Sequence, residues 1–215
     1  MSSNNKTELI LGVSHIPEFL RVTRDVLEAK FPGGLESLML ELPPWYANVP
    51  EEDIDRNEYF SRIKKAYEQR GVKIVYGDIN RRQLPKKVDD ICREFVAKVN
   101  AGESISSKEI LKNVYASIYV FGDPIMTAFR DILFHTRCKG MLNVMETAQP
   151  KAVVAGNLHA KYLKKAHPEI QYVALVYKHL NDERFIDRFV RLFDISPHNA
   201  DELIDVSTYH AKRVF

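Results

Sequence analysis

Two short motifs of the same form are the strongest chemical signal in the sequence. Gly12-Val13-Ser14-His15 and Gly156-Asn157-Leu158-His159 each follow an apolar run directly, and the two histidines lie 144 positions apart. A histidine at such a place supplies a nitrogen ligand or a general base, and the glycine allows a tight turn or a close backbone approach. Each histidine alone would be read as a packed or capping residue, but the repeat favours a functional site.

Two acidic residues stand at comparable places. Glu41 ends a second apolar run, and Asp78 follows a third. Each has an ordinary alternative role, because Glu41 also precedes a Pro-Pro turn and Asp78 could cap the next turn. If the runs are parallel strands, their carboxyl ends meet at one edge of a sheet. We therefore expect His15, Glu41, Asp78 and His159 to share one cleft.

The elements that must position these residues read as an alternation of strands and helices. The apolar runs are rich in Val, Ile and Leu without strict alternation, which is typical of strands covered on both faces. Segments of helical period separate them, at residues 17–30 and 55–70. The pattern predicts an α/β fold with a mainly parallel sheet and helices on both faces. The predicted strands are residues 9–13, 38–42, 72–76, 152–155 and 172–177.

The middle of the chain lacks a convincing strand. We interpret about residues 86–148 as a helical insertion between the third and fourth strands, with helices at 88–99 and at 124–148, the second broken at Gly140. A further amphipathic helix is predicted at 182–193. The tail from Ser196 is polar and yields no prediction. Residues 1–215 are therefore expected to form a single α/β domain.

Composition excludes several classes of protein. The 215 residues are 45% hydrophobic and 28% charged, which is typical of a globular chain rather than a disordered or collagen-like one. A net charge of +2 argues against a nucleic-acid partner. Cys92 and Cys138 form neither a disulfide framework nor a CxxC pair. With no signal-peptide pattern and no long apolar span, the sequence predicts a cytoplasmic protein without a membrane span.

The two Gly-x-x-His motifs, the strand ending in Glu41, and Arg130-Asp131 on a later helix together resemble a known family. They are similar to the TraB/PrgY pheromone-shutdown and Tiki group, which is distantly related to erythromycin esterases and ChaN-like proteins. The resemblance spans about residues 9–178 and rests on the order and strand context of the motifs. In that group the motif histidines, the glutamate and an arginine before the second motif are the recognised positions, and they match His15, His159, Glu41 and Arg130.

The resemblance implies a divalent-metal-dependent peptidase, since Tiki members are regarded as such. Asp78 matches the family's acidic segment after the third strand more loosely. In this interpretation His15 and His159 are ligands of a Zn, Mn or Co ion, with Glu41 or Asp78 completing the set, and bound water is the nucleophile. Glu41 serves as ligand or general base.

Three further residues are candidates for contact with substrate. Arg130 is expected to bind a substrate carboxylate or a developing oxyanion, with Asp131 orienting it. Trp45 and Tyr46, after Pro43-Pro44, either line the mouth of the cleft or form a tucked aromatic turn. The ligand would be a peptide or a small amide or ester.

Two other functions stay open. A metal-free esterase would use His15 or His159 as general base, with Glu41 holding the tautomer, as the erythromycin-esterase resemblance suggests. A binding protein of the pheromone-shutdown type would capture a peptide or small signal in the same cleft without turnover.

Overall fold

The structure is a computed structural model that describes residues 6–15, 18–49, 59–79, 134–176 and 200–209. The chain forms two compact units, one made of Met1–Asp78 with Gly140–Phe215 and the other of Ile79–Lys139. The first unit contains the sheet, and the description below concerns it. Of the second unit, only residues 79 and 134–139 are described, so most of the predicted insertion lies outside the described residues.

The first unit is built on a six-stranded sheet in which every strand pair is parallel. The strand order across the sheet is β3-β2-β4-β1-β5-β6. This confirms the predicted α/β fold. The strands are β1 (Leu9–Val13), β2 (Ser37–Leu40), β3 (Lys73–Tyr76), β4 (Ala152–Gly156), β5 (Gln171–Val176) and β6 (Glu202–Asp205).

Helices cover both faces of this sheet, as predicted. On one face α1 (Phe19–Lys30) and α2 (Tyr59–Glu68) enclose a core that includes Leu9 and Leu11 of β1. On the other face α3 (Arg137–Ala148) and α4 (Asn157–Ala166) pack over Ile10 of the same strand. Every residue of β1 is buried, which explains why this strand is apolar without alternation.

Two sequence-based expectations differ from the structure. The predicted helix break at Gly140 is wrong, because α3 passes through that residue. One interior glycine costs about 1 kcal/mol, and the burial of Met141 and Met145 on the same helix offsets that cost. The structure also adds β6, in the tail for which the sequence yields no prediction. The helices predicted at 88–99 and 182–193 lie outside the described residues.

Candidate functional site

Strand order determines where the candidate site forms. Because β4 lies between β1 and β2, the carboxyl end of β4 separates the residues that follow the other two strands. Gly156 ends β4, His15 follows β1 and Glu41 follows β2. The backbone N–H of Glu41 donates to the Val154 carbonyl at 3.3 Å, which holds Glu41 beside β4 after β2 has ended.

The Glu41 carboxylate is the buried centre of this site. Only 4% of its side chain is exposed, and its Oε2 accepts a hydrogen bond of 2.7 Å from the Gly156 backbone N–H. Gly156 is the N-cap of α4, so the carboxylate also lies at the positive end of that helix. A backbone donor and a helix N-terminus both place positive potential at this position.

Two imidazoles face the two oxygens of this carboxylate. His15 Nε2 lies 3.6 Å from Oε2, and His159 Nε2 lies 3.4 Å from Oε1. Both distances exceed an ordinary hydrogen bond. The two rings differ in access, because 45% of the His15 side chain is exposed against 10% of His159. His15 is therefore the imidazole that can meet a ligand.

The glycine of each motif lies against a side chain of the other motif, where a Cβ atom would clash. A Cβ on Gly156 would lie 2.9 Å from His15 Nε2 and 3.2 Å from Glu41 Oε2. A Cβ on Gly12 would lie 2.4 Å from the Asn157 Oδ1 atom and 2.9 Å from the Tyr172 ring. Both glycines have negative φ, so they serve close approach rather than a left-handed turn.

Aromatic rings at the start of α2 support His15. The Phe60 ring meets the imidazole edge-on with centroids 4.7 Å apart, and the Tyr59 ring lies parallel to it at 6.4 Å. The Tyr59 hydroxyl is hydrogen-bonded to Thr23 on α1, and this buried contact fixes the position of the Tyr59 ring. The helical period at residues 55–70 predicts this helix but does not assign Tyr59 or Phe60 to the site. Two adjacent aromatic residues at a helix start, at the same edge as the motifs, were the available signal.

Asn157, inside the second motif, fastens the beginning of α4. Its Nδ2 donates to the Leu175 carbonyl at 2.9 Å, and the Tyr172 hydroxyl lies 3.4 Å from its Oδ1. Burial raises the pKa of Tyr172, so this phenol stays protonated as a donor. These contacts anchor α4 to β5 and hence fix the Gly156 N–H that holds Glu41. Sequence spacing contains no signal for such a contact.

The remaining predicted residues fall into three groups. Asp78 reaches the same edge, where its backbone N–H donates to the Leu42 carbonyl at 3.0 Å. Trp45 is 49% exposed, whereas the Tyr46 hydroxyl is hydrogen-bonded to Ser61 on α2. Tyr46 is thus fixed against α2, whereas about half of the Trp45 side chain is accessible to solvent. Arg130 and Asp131 lie outside the described residues.

The donor set does not assemble a metal centre among the residues that the structure describes. Each histidine nitrogen faces a different oxygen of Glu41, and the Gly156 N–H already occupies one of those oxygens. Across the described ranges, no group of three or more His, Cys, Asp or Glu side chains is arranged to hold a metal ion. We derive no step through a metal, and the predicted Zn, Mn or Co ion stays a prediction.

Comparisons of the chain with family models, with curated proteins and with solved structures find no match. Within the described ranges, no helix is long and apolar enough to cross a membrane.

Proposed function

We propose that this protein is a hydrolase that cleaves an ester or amide bond in a small molecule or peptide, with His15 as its general base. One observation carries the proposal. A carboxylate that is 4% exposed holds two imidazoles at the carboxyl edge of a parallel sheet, and one of those imidazoles is open to solvent. A shielded carboxylate against a partly exposed histidine is the arrangement that general-base catalysis uses.

The two nitrogens of His15 have different roles, because Nε2 faces Glu41 and Nδ1 takes and returns the proton. With its proton on Nε2, the ring faces Glu41, which leaves Nδ1 as the acceptor. Nδ1 takes a proton from water as the water oxygen bonds to the substrate carbonyl carbon. Glu41 stabilises the resulting imidazolium by charge. The ring then returns the proton to the departing alkoxide or amine as the bond to the carbonyl carbon breaks.

His159 has a different part in this scheme. Its ring is nearly buried and faces the second oxygen of Glu41, so it fixes the orientation of the carboxylate. Arg130 is proposed to stabilise the developing oxyanion, with Asp131 beside it, and Trp45 to contact the substrate. The TraB/Tiki-like relationship is part of this proposal and rests on the motifs alone.

The test is a hydrolysis assay with matched variants. Purified full-length protein, freed of metal by a chelator, is offered p-nitrophenyl esters and a peptide library, and products are followed by absorbance and mass spectrometry. We expect turnover that falls about a hundredfold or more in Glu41→Gln and His15→Ala. Glu146→Gln and His167→Ala are the controls, because they alter an exposed Glu-His pair at the opposite edge.

Other outcomes lead to different functions. Turnover that requires added Zn, Mn or Co and disappears in His159→Ala would identify the metal-dependent enzyme instead. Retention of an intact peptide without any product would identify the binding protein. Equal losses in Glu41→Gln and Glu146→Gln would contradict the proposed site.

A further inference from the structure

A groove between α1 and α2 lies outside the proposed catalytic site. Its volume is about 360 Å³. The two helices are joined near their beginnings by the Thr23–Tyr59 hydrogen bond and near their ends by an ion pair of 2.7 Å between Glu28 and Arg70. The residues that line the groove are Leu20, Arg21, Arg24, Asp25, Glu28 and Arg62.

The acidic residues of this groove already have cationic or hydroxyl partners. Asp25 Oδ2 lies 4.0 Å from Arg21 Nε, and the Tyr209 hydroxyl also interacts with Asp25. Glu28 is paired with Arg70. Among the described residues, Arg24 and Arg62 have no ion-pair partner. The groove therefore holds two guanidinium charges that the described part of the chain does not neutralise.

A buried hydroxyl on α2, near the charged residues of α1, lacks a hydrogen-bond partner among the described residues. Tyr67 is 3% exposed, and its hydroxyl has no partner among the described residues. Burial raises the pKa of Tyr67 to about 12, and three groove residues, Glu28, Arg24 and Asp25, also act on it electrostatically. Tyr67 is thus a protonated donor that is enclosed beside the groove and does not line it. An unsatisfied buried polar group in a native protein requires an explanation, of which an enclosed water is one.

We propose that this groove binds the phosphate group of a small phosphorylated molecule. Two guanidinium groups that have no ion-pair partner among the described residues match the charge of a phosphate monoester, which is about −1.5 to −2 at pH 7, whereas a carboxylate would neutralise only one of them. Arg21 and Arg62 lie in the first turns of their helices, where the backbone adds positive potential. The volume is typical of a small-ligand pocket.

The phosphate site does not depend on the proposed hydrolase activity, so a separate measurement tests each proposal. Binding of inorganic phosphate and of glycerol phosphate to the full chain is measured by calorimetry at low salt. We expect binding that weakens about tenfold in Arg24→Ala and in Arg62→Ala, because each change removes one charged donor. Tyr67→Phe should fold normally, since it deletes an unsatisfied donor, and should bind phosphate as the wild type does, because the Tyr67 hydroxyl is enclosed and does not line the groove.

The controls separate a built site from a general effect of charge. Lys73→Ala removes one exposed positive charge at the start of β3 and should leave phosphate binding unchanged. Acetate should compete poorly, since it carries one charge. The proposal is overturned if phosphate does not bind at about 10 mM, if Lys73→Ala weakens binding as much as Arg24→Ala, or if acetate competes equally. Binding to phosphatidic acid vesicles without binding to glycerol phosphate would also overturn it.

Discussion

The two edges of the sheet use the same residue types in opposite arrangements. At the carboxyl edge, the carboxylate of Glu41 lies between the imidazoles of His15 and His159. At the amino edge, the imidazole of His167 lies between the carboxylates of Glu146 and Glu169, at 3.1 Å and 3.2 Å. The contacts at the amino edge are the shorter ones.

Burial of the carboxylates distinguishes these edges. The Glu41 side chain is 4% exposed and accepts a backbone N–H, whereas Glu146 and Glu169 are 52% and 45% exposed. Exposed ion pairs contribute about 0–1 kcal/mol because solvent screens them and long side chains lose entropy. Burial of the carboxylate therefore identifies a candidate chemical site better than the distance between the charged groups does.

The largest expected effect comes from adding a methyl group to the carboxyl edge. Gly156→Ala places a Cβ against the His15 ring, which can swing away because nearly half of it is exposed. We expect turnover to fall about a hundredfold, because His15 loses its place beside Glu41. The free energy of unfolding should change by less than about 1 kcal/mol. Ester hydrolysis and urea denaturation measure the two quantities, and an active Gly156→Ala protein would contradict the site.

The second effect is on stability and concerns the other motif glycine. Gly12→Ala drives a Cβ into the Tyr172 ring, which is fully buried, and into the Asn157 amide, which a hydrogen bond to the Leu175 carbonyl holds in place. We expect a loss of about 1–3 kcal/mol in the free energy of unfolding, the usual cost of overpacking. Gly33→Ala is the control, because no atom lies within 4 Å of its added Cβ. Equal stability of the two variants would show that the motifs do not interlock as described.

The third prediction concerns the ion pair between Lys164 and Asp201. Lys164 Nζ donates to the Pro168 and Ile170 carbonyls and to Asp201 Oδ2, each at 2.8 Å. Burial opposes ionisation of Asp201, but hydrogen bonds from Lys164 and from the Tyr172 N–H outweigh it, so the pKa of Asp201 lies below its usual value.

A carboxyl group with a lowered folded pKa stabilises the protein above its unfolded pKa, about 4, and this contribution is lost as pH falls through the folded value. Since 45% of the Asp201 side chain is exposed, we expect only about 0.5–1 kcal/mol. Chemical denaturation at pH 7 and pH 3 should show that Asp201→Asn loses more stability at pH 7 than at pH 3. A loss of the same size at both values would rule out the ionic contribution.

The smallest effect is expected at His167, a half-buried histidine whose two carboxylate partners are exposed. His167→Ala removes both contacts to Glu146 and Glu169, yet it should change the free energy of unfolding by less than about 0.5 kcal/mol. Turnover should be unaffected, because His167 ends α4 at the edge away from Glu41. A drop in turnover comparable to that of His15→Ala would remove the functional distinction between the edges.

Much of the sheet could be predicted because its strands are continuous Val, Ile and Leu runs. The prediction for β1 matches residue for residue, and those for β2 to β5 differ by one or two residues at their ends. β6 could not be predicted, since Glu202 and Asp205 give it an acidic sequence. It forms through backbone pairing with β5 and through the Lys164–Asp201 contact, and both depend on distant parts of the chain.

The candidate site likewise has features that local sequence predicts and features that depend on distant parts of the chain. The sequence by itself determined that four chemically useful residues follow parallel strands, because apolar runs and the polar residues that end them are local features. It could not determine that His15, Glu41 and His159 meet at one carboxylate, nor that each motif glycine accommodates the other motif. Tertiary structure decided this by inserting β4 between β1 and β2, which puts Gly156 and its N–H between His15 and Glu41. Strand order depends on how helices cross the sheet, and the apolar pattern of a strand is the same whichever neighbours it has.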